Sequence, residues 1–129
     1  MWAADTASAA LGIELLDWGP GRARLAMTVR PTMVNGHDIA HGGLVFTLAD
    51  SAFAVACNSH GPVTVAAGAD ITFVAPARLG DVLVAEASEQ VVFGRSGLTD
   101  VRVTTADGGT VVALFRGRSR SLARPGGAP

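Results

Sequence analysis

Polar and apolar positions alternate along residues 22–30 (RARLAMTVR), the period-two pattern of a half-exposed strand. Residues 13–18 read as a strand before it, and Gly19–Pro20–Gly21 between the two has turn chemistry. Four further β-like runs fill the second half of the chain: 63–74, 82–92, 97–105 and 111–120. Turn residues bound them: Pro76 with Gly80–Asp81, Gly94, and Asp107–Gly108–Gly109. Gly68 and Gly97 are expected to mark bulges or bends. Between the two groups of strands lies HGGLVFTLADSAFAVACNS, residues 41–59, with apolar and small side chains on most helical faces. This predicts a buried helix that ends near Asn58, where Asn58, Ser59, Gly61 and Pro62 act as stop signals. An Ala-rich stretch at 3–10 predicts a short helix stopping at Gly12, and 31–43 reads as a loop. One long apolar helix followed by antiparallel strands is an α+β pattern, in which a sheet covers the helix. No repeat or linker divides residues 1–121, so a single domain is expected. The Pro/Gly/Ala-rich residues 122–129 predict a disordered tail.

Composition narrows the class. With 129 residues, 49% hydrophobic and 16% charged, the chain has enough apolar content for a globular core. A net charge of −1 offers no general attraction to nucleic acid or to acidic membranes. The single cysteine, Cys57, has no internal disulfide partner. The first residues, MWAADTASAALG, lack the basic-then-apolar order of a signal peptide, and no apolar run reaches the roughly 18 residues of a membrane span. A soluble, cytoplasmic protein is expected.

The helix carries one carboxylate, Asp50, near its middle. Thr47, Asp50, Ser51, Ala54 and Asn58 fall on one narrow stripe of it. That stripe faces either water or a pocket or subunit interface. In the second case a partly desolvated carboxylate is costly unless it is paired or serves as a general base or nucleophile. The loop that feeds the helix favours the second case. Asn35–Gly36–His37–Asp38–Ile39–Ala40–His41–Gly42–Gly43 brings polar groups and glycines to a helix start, where backbone N–H groups are unpaired and partly positive. Gly42 and Gly43 have no side chain to keep a ligand away, so a carbonyl could be polarised there, with His41 and Asn35 adding hydrogen bonds. A metal site from His37, Asp38 and His41 is disfavoured, because the two His sit in a glycine-bounded loop and no further ligand follows at metal spacing. Asp50 lies eight residues beyond Gly42, about 12 Å along one helix. One carbonyl cannot reach both groups on the same helix. If they cooperate, a second copy of the helix must lie antiparallel beside the first, in a two-fold homodimer with shared sites.

The string N-G-H-x-x-x-H-G-G-x-x-F-x-L-A-D-S-A-F-A-x-A-x-N-S at residues 35–59 closely resembles the PaaI branch of hotdog-fold acyl-CoA thioesterases, the phenylacetate-degradation type. The stretches ITFVAPARLGD and VALFRGRS resemble it too, so that the likeness spans about residues 11–120. It implies a hotdog fold, an antiparallel sheet of five to six strands wrapped around a central long helix, assembled as a homodimer and often a homotetramer. It implies hydrolysis of coenzyme A thioesters of aromatic acids, such as phenylacetyl-CoA or hydroxyphenylacetyl-CoA, with coenzyme A only as part of the substrate and with no metal or other cofactor. By position, Asp50 matches the catalytic carboxylate and Gly42 the backbone donor to the thioester oxygen. Asn35 and His41 match residues that place the thioester or the water, and Asp50 comes from the subunit opposite Gly42. Gly43 and Ser51 flank these groups as substrate-binding candidates, and Arg78, Arg95, Arg116 and Arg118 are candidates for the coenzyme A phosphates. One departure stands out: relatives usually have glycine where this chain has Asp38, a charge that would bear on substrate preference. Two alternatives compete. A hotdog enoyl-CoA hydratase or dehydratase would pair a His with its carboxylate differently from the Leu-Ala-Asp block. A non-catalytic acyl-CoA-binding protein of the sensor type would carry a DNA-binding segment, for which a basic helix is lacking.

Overall fold

A computed structural model describes residues 1–122; the predicted tail, apart from Leu122, lies outside them. A 3₁₀ turn at Trp2–Ala4 and helix α1 (Thr6–Ala10) lead into strands β1 (Glu14–Gly19) and β2 (Arg22–Thr28). A second 3₁₀ turn, Pro31–Met33, precedes the long helix α2 (Gly42–Asn58). Four strands follow: β3 (Thr64–Phe73), β4 (Val82–Phe93), β5 (Ser96–Thr105) and β6 (Val111–Ser121). The six form one antiparallel sheet in the order β1-β2-β4-β5-β6-β3. All six predicted strands and both predicted helices are present, with ends shifted by a residue or two except that α1 starts three residues later than predicted, after the 3₁₀ turn.

The alternation seen in the sequence is what wraps the sheet around α2. In β6 the buried positions Phe115, Gly117 and Ser119 alternate with the exposed Leu114, Arg116, Arg118 and Arg120. Ala49, Ala52 and Ala56 of α2 are fully buried, and their small size lets the helix sit close to the sheet. Phe53, 1% exposed, takes the space that Gly117 leaves: a Cβ at Gly117 would lie 2.6 Å from its ring. Phe115 packs against both Phe53 and Phe46, with ring centroids 5.7 and 5.4 Å apart. Leu25, Met27, Leu83 and Val103 close the core from β2, β4 and β5. Each such side chain contributes about 1.5–3 kcal/mol by leaving water.

Of the two glycines expected at bulges, Gly68 adjoins one, where the β3–β6 register shifts between Ala66 and Gly68. Gly97 does not. The bulge lies in the facing strand, between Glu89 and Val91, and Gly97 is a close approach, with Ser119 Oγ 2.8 Å from a notional Cβ. Both outer strands of the sheet, β1 and β3, leave one edge unpaired. Among the described residues no helix is long and apolar enough to cross a membrane.

Candidate active site

The loop before α2 is folded by its own polar groups. Asn35 Oδ1 accepts hydrogen bonds from His37 N (2.8 Å) and, more weakly, Ile39 N (3.4 Å), while Asn35 N donates to Ile39 O (2.8 Å). The tight turn that results puts Asp38 at φ +59°, in the left-handed region that favours glycine. Asp38 therefore sits where the backbone favours glycine, and aspartate is among the side chains that tolerate this conformation. The loop is pinned beneath by Ala40 N donating to Ala77 O (2.8 Å) and His41 N donating to Met33 O (2.7 Å).

His41 is the N-cap of α2. Its Nδ1 accepts from Gly43 N at 3.0 Å, which leaves the ring proton on Nε2, exposed and free to donate. Gly43 therefore spends its N–H on the cap rather than on a ligand. Gly42 N–H has no partner among the described residues. A cleft of about 370 Å³ opens beside it, lined by Asn35, Gly42, Val45, Phe73, Val74 and Pro76 among others. The Phe73 ring covers Gly42 so closely that a Cβ there would lie 3.1 Å from it. A side chain at 42 would have to push the exposed Phe73 ring aside by a few tenths of an ångström and would crowd the N–H. Because Oδ1 of Asn35 holds the turn, its Nδ2 is the group left to donate into the cleft. Phe73 and Val74 are site residues that the sequence reading did not single out; their only signal was an apolar strand end inside ITFVAP.

Asp50 is half-buried on α2 and makes no hydrogen bond or ion pair among the described residues. Burial, and secondarily the negative charge of Asp5, raise its pKa above the usual carboxylate value. A carboxylate held this way binds a proton more tightly than one in water, which suits a base. The rest of the predicted stripe divides. Thr47 Oγ1 donates back to Gly43 O (2.9 Å). Ser51 is buried, and its hydroxyl is bonded to that of Ser8 (2.7 Å), so it anchors α1 to α2 instead of facing the cleft. Asn58 ties the end of α2 to β3, with Nδ2 donating to Thr64 O (3.0 Å) and Oδ1 accepting from Thr64 N (2.9 Å).

The arginines divide too. Arg116 is locked onto Asp100 through two hydrogen bonds (2.6 and 3.0 Å), and Arg118 onto Asp70 (2.8 Å), both on the outer face of the sheet. Arg95 Nε donates to Ser121 O (3.1 Å), at the opposite end of β6 from the residues that flank Phe73. Arg78 is exposed, follows the cleft-lining Ala77 and has no side-chain partner among the described residues. His37, Asp38 and His41 do not converge; among the described residues no group of three or more His, Cys, Asp or Glu comes together.

The profile of the thioesterase superfamily matches residues 37–112, the span from the Gly42 loop through β6's first residues. The chain is 41% identical over 122 residues to acyl-coenzyme A thioesterase PaaI of Escherichia coli, covering 95% of this chain and 86% of that one. The structure of the E. coli PaaI protein from the phenylacetic acid degradation operon superposes with a TM-score of 0.91, covering 99% of this chain and 90% of that one. The TT0310 protein of Thermus thermophilus, 38% identical, superposes at 0.87 over 92% of this chain and 98% of its own. With the sheet-wrapped helix and the Asn35–Gly42–Asp50 layout in place, the chain belongs to the thioesterase superfamily, on its hotdog-fold PaaI branch.

Proposed function

We propose that the protein hydrolyses acyl-CoA thioesters to the free acid and coenzyme A, with aromatic acyl groups such as phenylacetyl or hydroxyphenylacetyl as substrates in aromatic catabolism. The acyl class rests on the likeness to E. coli PaaI. The observation that carries the chemistry is the pairing of an unpartnered helix-start N–H at Gly42 with an unpartnered, half-buried carboxylate at Asp50. In this reading the thioester oxygen accepts hydrogen bonds from Gly42 N–H, with Asn35 Nδ2 and His41 Nε2 as further donors. Asp50 of the partner subunit takes a proton from water as its oxygen adds to the thioester carbon. The oxyanion is held at Gly42, and its collapse expels the thiolate of coenzyme A, which recovers the proton from that carboxylate. Direct attack by the carboxylate would instead form a mixed anhydride. After single-turnover hydrolysis in labelled water, label inside Asp50 marks direct attack with water opening the anhydride at the Asp50 carbonyl.

The homodimer is part of the proposal. About 12 Å of helix separates Gly42 from Asp50, and β3 offers a ten-residue open edge, with Val65 and Phe73 exposed, against which a second β3 can pair. Such pairing would set the two α2 helices side by side. Two dimers joining as a tetramer extend the same reading. Arg78, exposed and next in sequence to the cleft-lining Ala77, is the arginine best placed for the coenzyme A phosphates.

The test is thiol release from a panel of aryl- and alkyl-acyl-CoAs, by the wild type and by Asp50→Ala. Turnover of arylacetyl-CoA with a loss of about 10²-fold or more in the variant is expected. Full activity in Asp50→Ala, or turnover of alkyl substrates alone, would count against the catalytic and the acyl assignments respectively.

A further inference from the structure

The N-terminal segment reaches the middle of α2 at one place. Asp5 caps α1: Oδ1 accepts from Ser8 N (2.9 Å) and Oδ2 from Ser8 Oγ (2.7 Å). Ser8 is 1% exposed, and its Oγ lies 2.7 Å from Ser51 Oγ, one residue along from Asp50. The carboxylate of Asp5 can only accept, so the Ser8 hydroxyl donates to it, and the Ser51 hydroxyl donates to Ser8. A buried chain of hydrogen bonds thus runs from the turn of α2 that carries the proposed catalytic carboxylate to a second carboxylate outside the cleft. A five-residue helix does not hold itself together in water; α1 is held by this chain and by the packing of Trp2 and Leu11 on the core.

We propose that Asp5 is a positioning residue of the thioesterase site: through Ser8 and Ser51 it seats α1 against α2 so that its own negative charge faces Asp50. This deepens the reading of Asp50 as the catalytic carboxylate and rests on it. Asp50 has no donor of its own to offset that charge, and Asp5 is the charged group that raises its pKa after burial itself. The other groups near α2 do not compete. On the strands packed against α2, Glu14 and Asp17 of β1, Arg22 and Arg24 of β2, Asp70 of β3, Glu86 of β4, Arg102 of β5 and the arginines of β6 are exposed, and Asp100 of β5 is paired with Arg116. Glu89 faces His60 (2.7 Å) and Cys57, and the Cys57 thiol, pushed up to about 12 chiefly by burial and then by Glu89, stays neutral. Asp5 thus makes the Asp50 carboxylate more basic than burial alone would.

The alternative is that Asp5 does nothing beyond capping α1. Asparagine and serine cap helices about as well as aspartate but carry no charge. Asp5→Asn and Asp5→Ser should therefore keep the melting temperature while the acid limb of the kcat/KM–pH profile on the best acyl-CoA moves to lower pH. At a pH below the wild-type limb, both variants should retain a larger fraction of their plateau activity than the wild type does. An acid limb at the wild-type pH in either folded variant overturns the proposal. Asp50→Ala is assayed beside them. If it keeps full activity, the catalytic reading itself fails, an outcome distinct from an unmoved limb in an enzyme that does depend on Asp50.

Discussion

Asp50 is a residue whose placement costs stability. Its pKa is raised, first by burial and then by Asp5, so the folded state holds the proton more tightly than the unfolded chain does. A raised carboxylate lowers stability as the pH rises from the unfolded value, ordinarily 3.8, through the folded one, and the whole loss persists above it. Asp50→Asn removes that loss. The melting temperature of this variant should exceed the wild type's at pH 7, and the difference should shrink as the pH falls through the raised folded value and be gone below the unfolded one, 3.8. Thioesterase activity should fall by about 10²-fold or more in the same variant. A variant that is less stable at pH 7 would show that Asp50 is paired in the assembled protein. Sequence made Asp50 conspicuous because a lone charge breaks an apolar helix pattern. It could not show that Ser51, beside it, is committed to Ser8 forty-three residues away, since hydrogen bonds between distant segments leave no local pattern.

At the scale of elements, α2 is fastened at both ends by single side chains. His41 caps its start, and Asn58 binds its end to the first residue of β3. Asn58 reads in the sequence as a stop signal, and so it is, but its amide also satisfies both backbone groups of Thr64. Asn58→Ala should cost about 2–3 kcal/mol, from three lost hydrogen bonds, two to Thr64 and one to Ala54 O, and the polar groups they leave behind. Asn58→Asp keeps the acceptor and loses the donor, so urea denaturation should place it between the two. The strands were legible because alternation tracks burial: β2 and β6 show it residue by residue. Gly42 was legible only in part. The unpartnered N–H follows from its place at a helix start, whereas the Phe73 ring over it comes from a strand thirty residues later.

For the whole molecule, the open edge of β3 is where the proposed dimer can be broken without touching the site. Val65 and Ala67 are exposed on that strand. In Val65→Lys/Ala67→Lys, like charges would face each other across a two-fold pairing, at a cost of several kcal/mol. Light scattering should then report monomers, circular dichroism an unchanged fold, and activity a loss that tracks the monomer fraction. An active monomer would sink the shared-site reading, because Asp50 and Gly42 of one helix cannot touch the same carbonyl. The outer face of the sheet, by contrast, binds its own charges: Asp100 and Asp70 hold Arg116 and Arg118. Two of the four arginines nominated from sequence as phosphate ligands, Arg116 and Arg118, are there engaged in cross-strand pairs.

By itself the sequence determined the elements, their order, the apolar helix with its one charge and the polar, glycine-bearing loop before it. These follow from periodicity and from local backbone chemistry, which act over a few residues. The eight-residue spacing also carried a condition on the proposed mechanism, that Gly42 and Asp50 can cooperate only across two helices, because helix rise is fixed. Only the tertiary structure decided which polar groups stay free. Ser51, Asn58, Arg116 and Arg118 each meet a partner from another segment, while Gly42 N–H and Asp50 meet none among the described residues. A group's freedom depends on what the rest of the chain folds against it, and that is settled by packing between segments far apart in sequence.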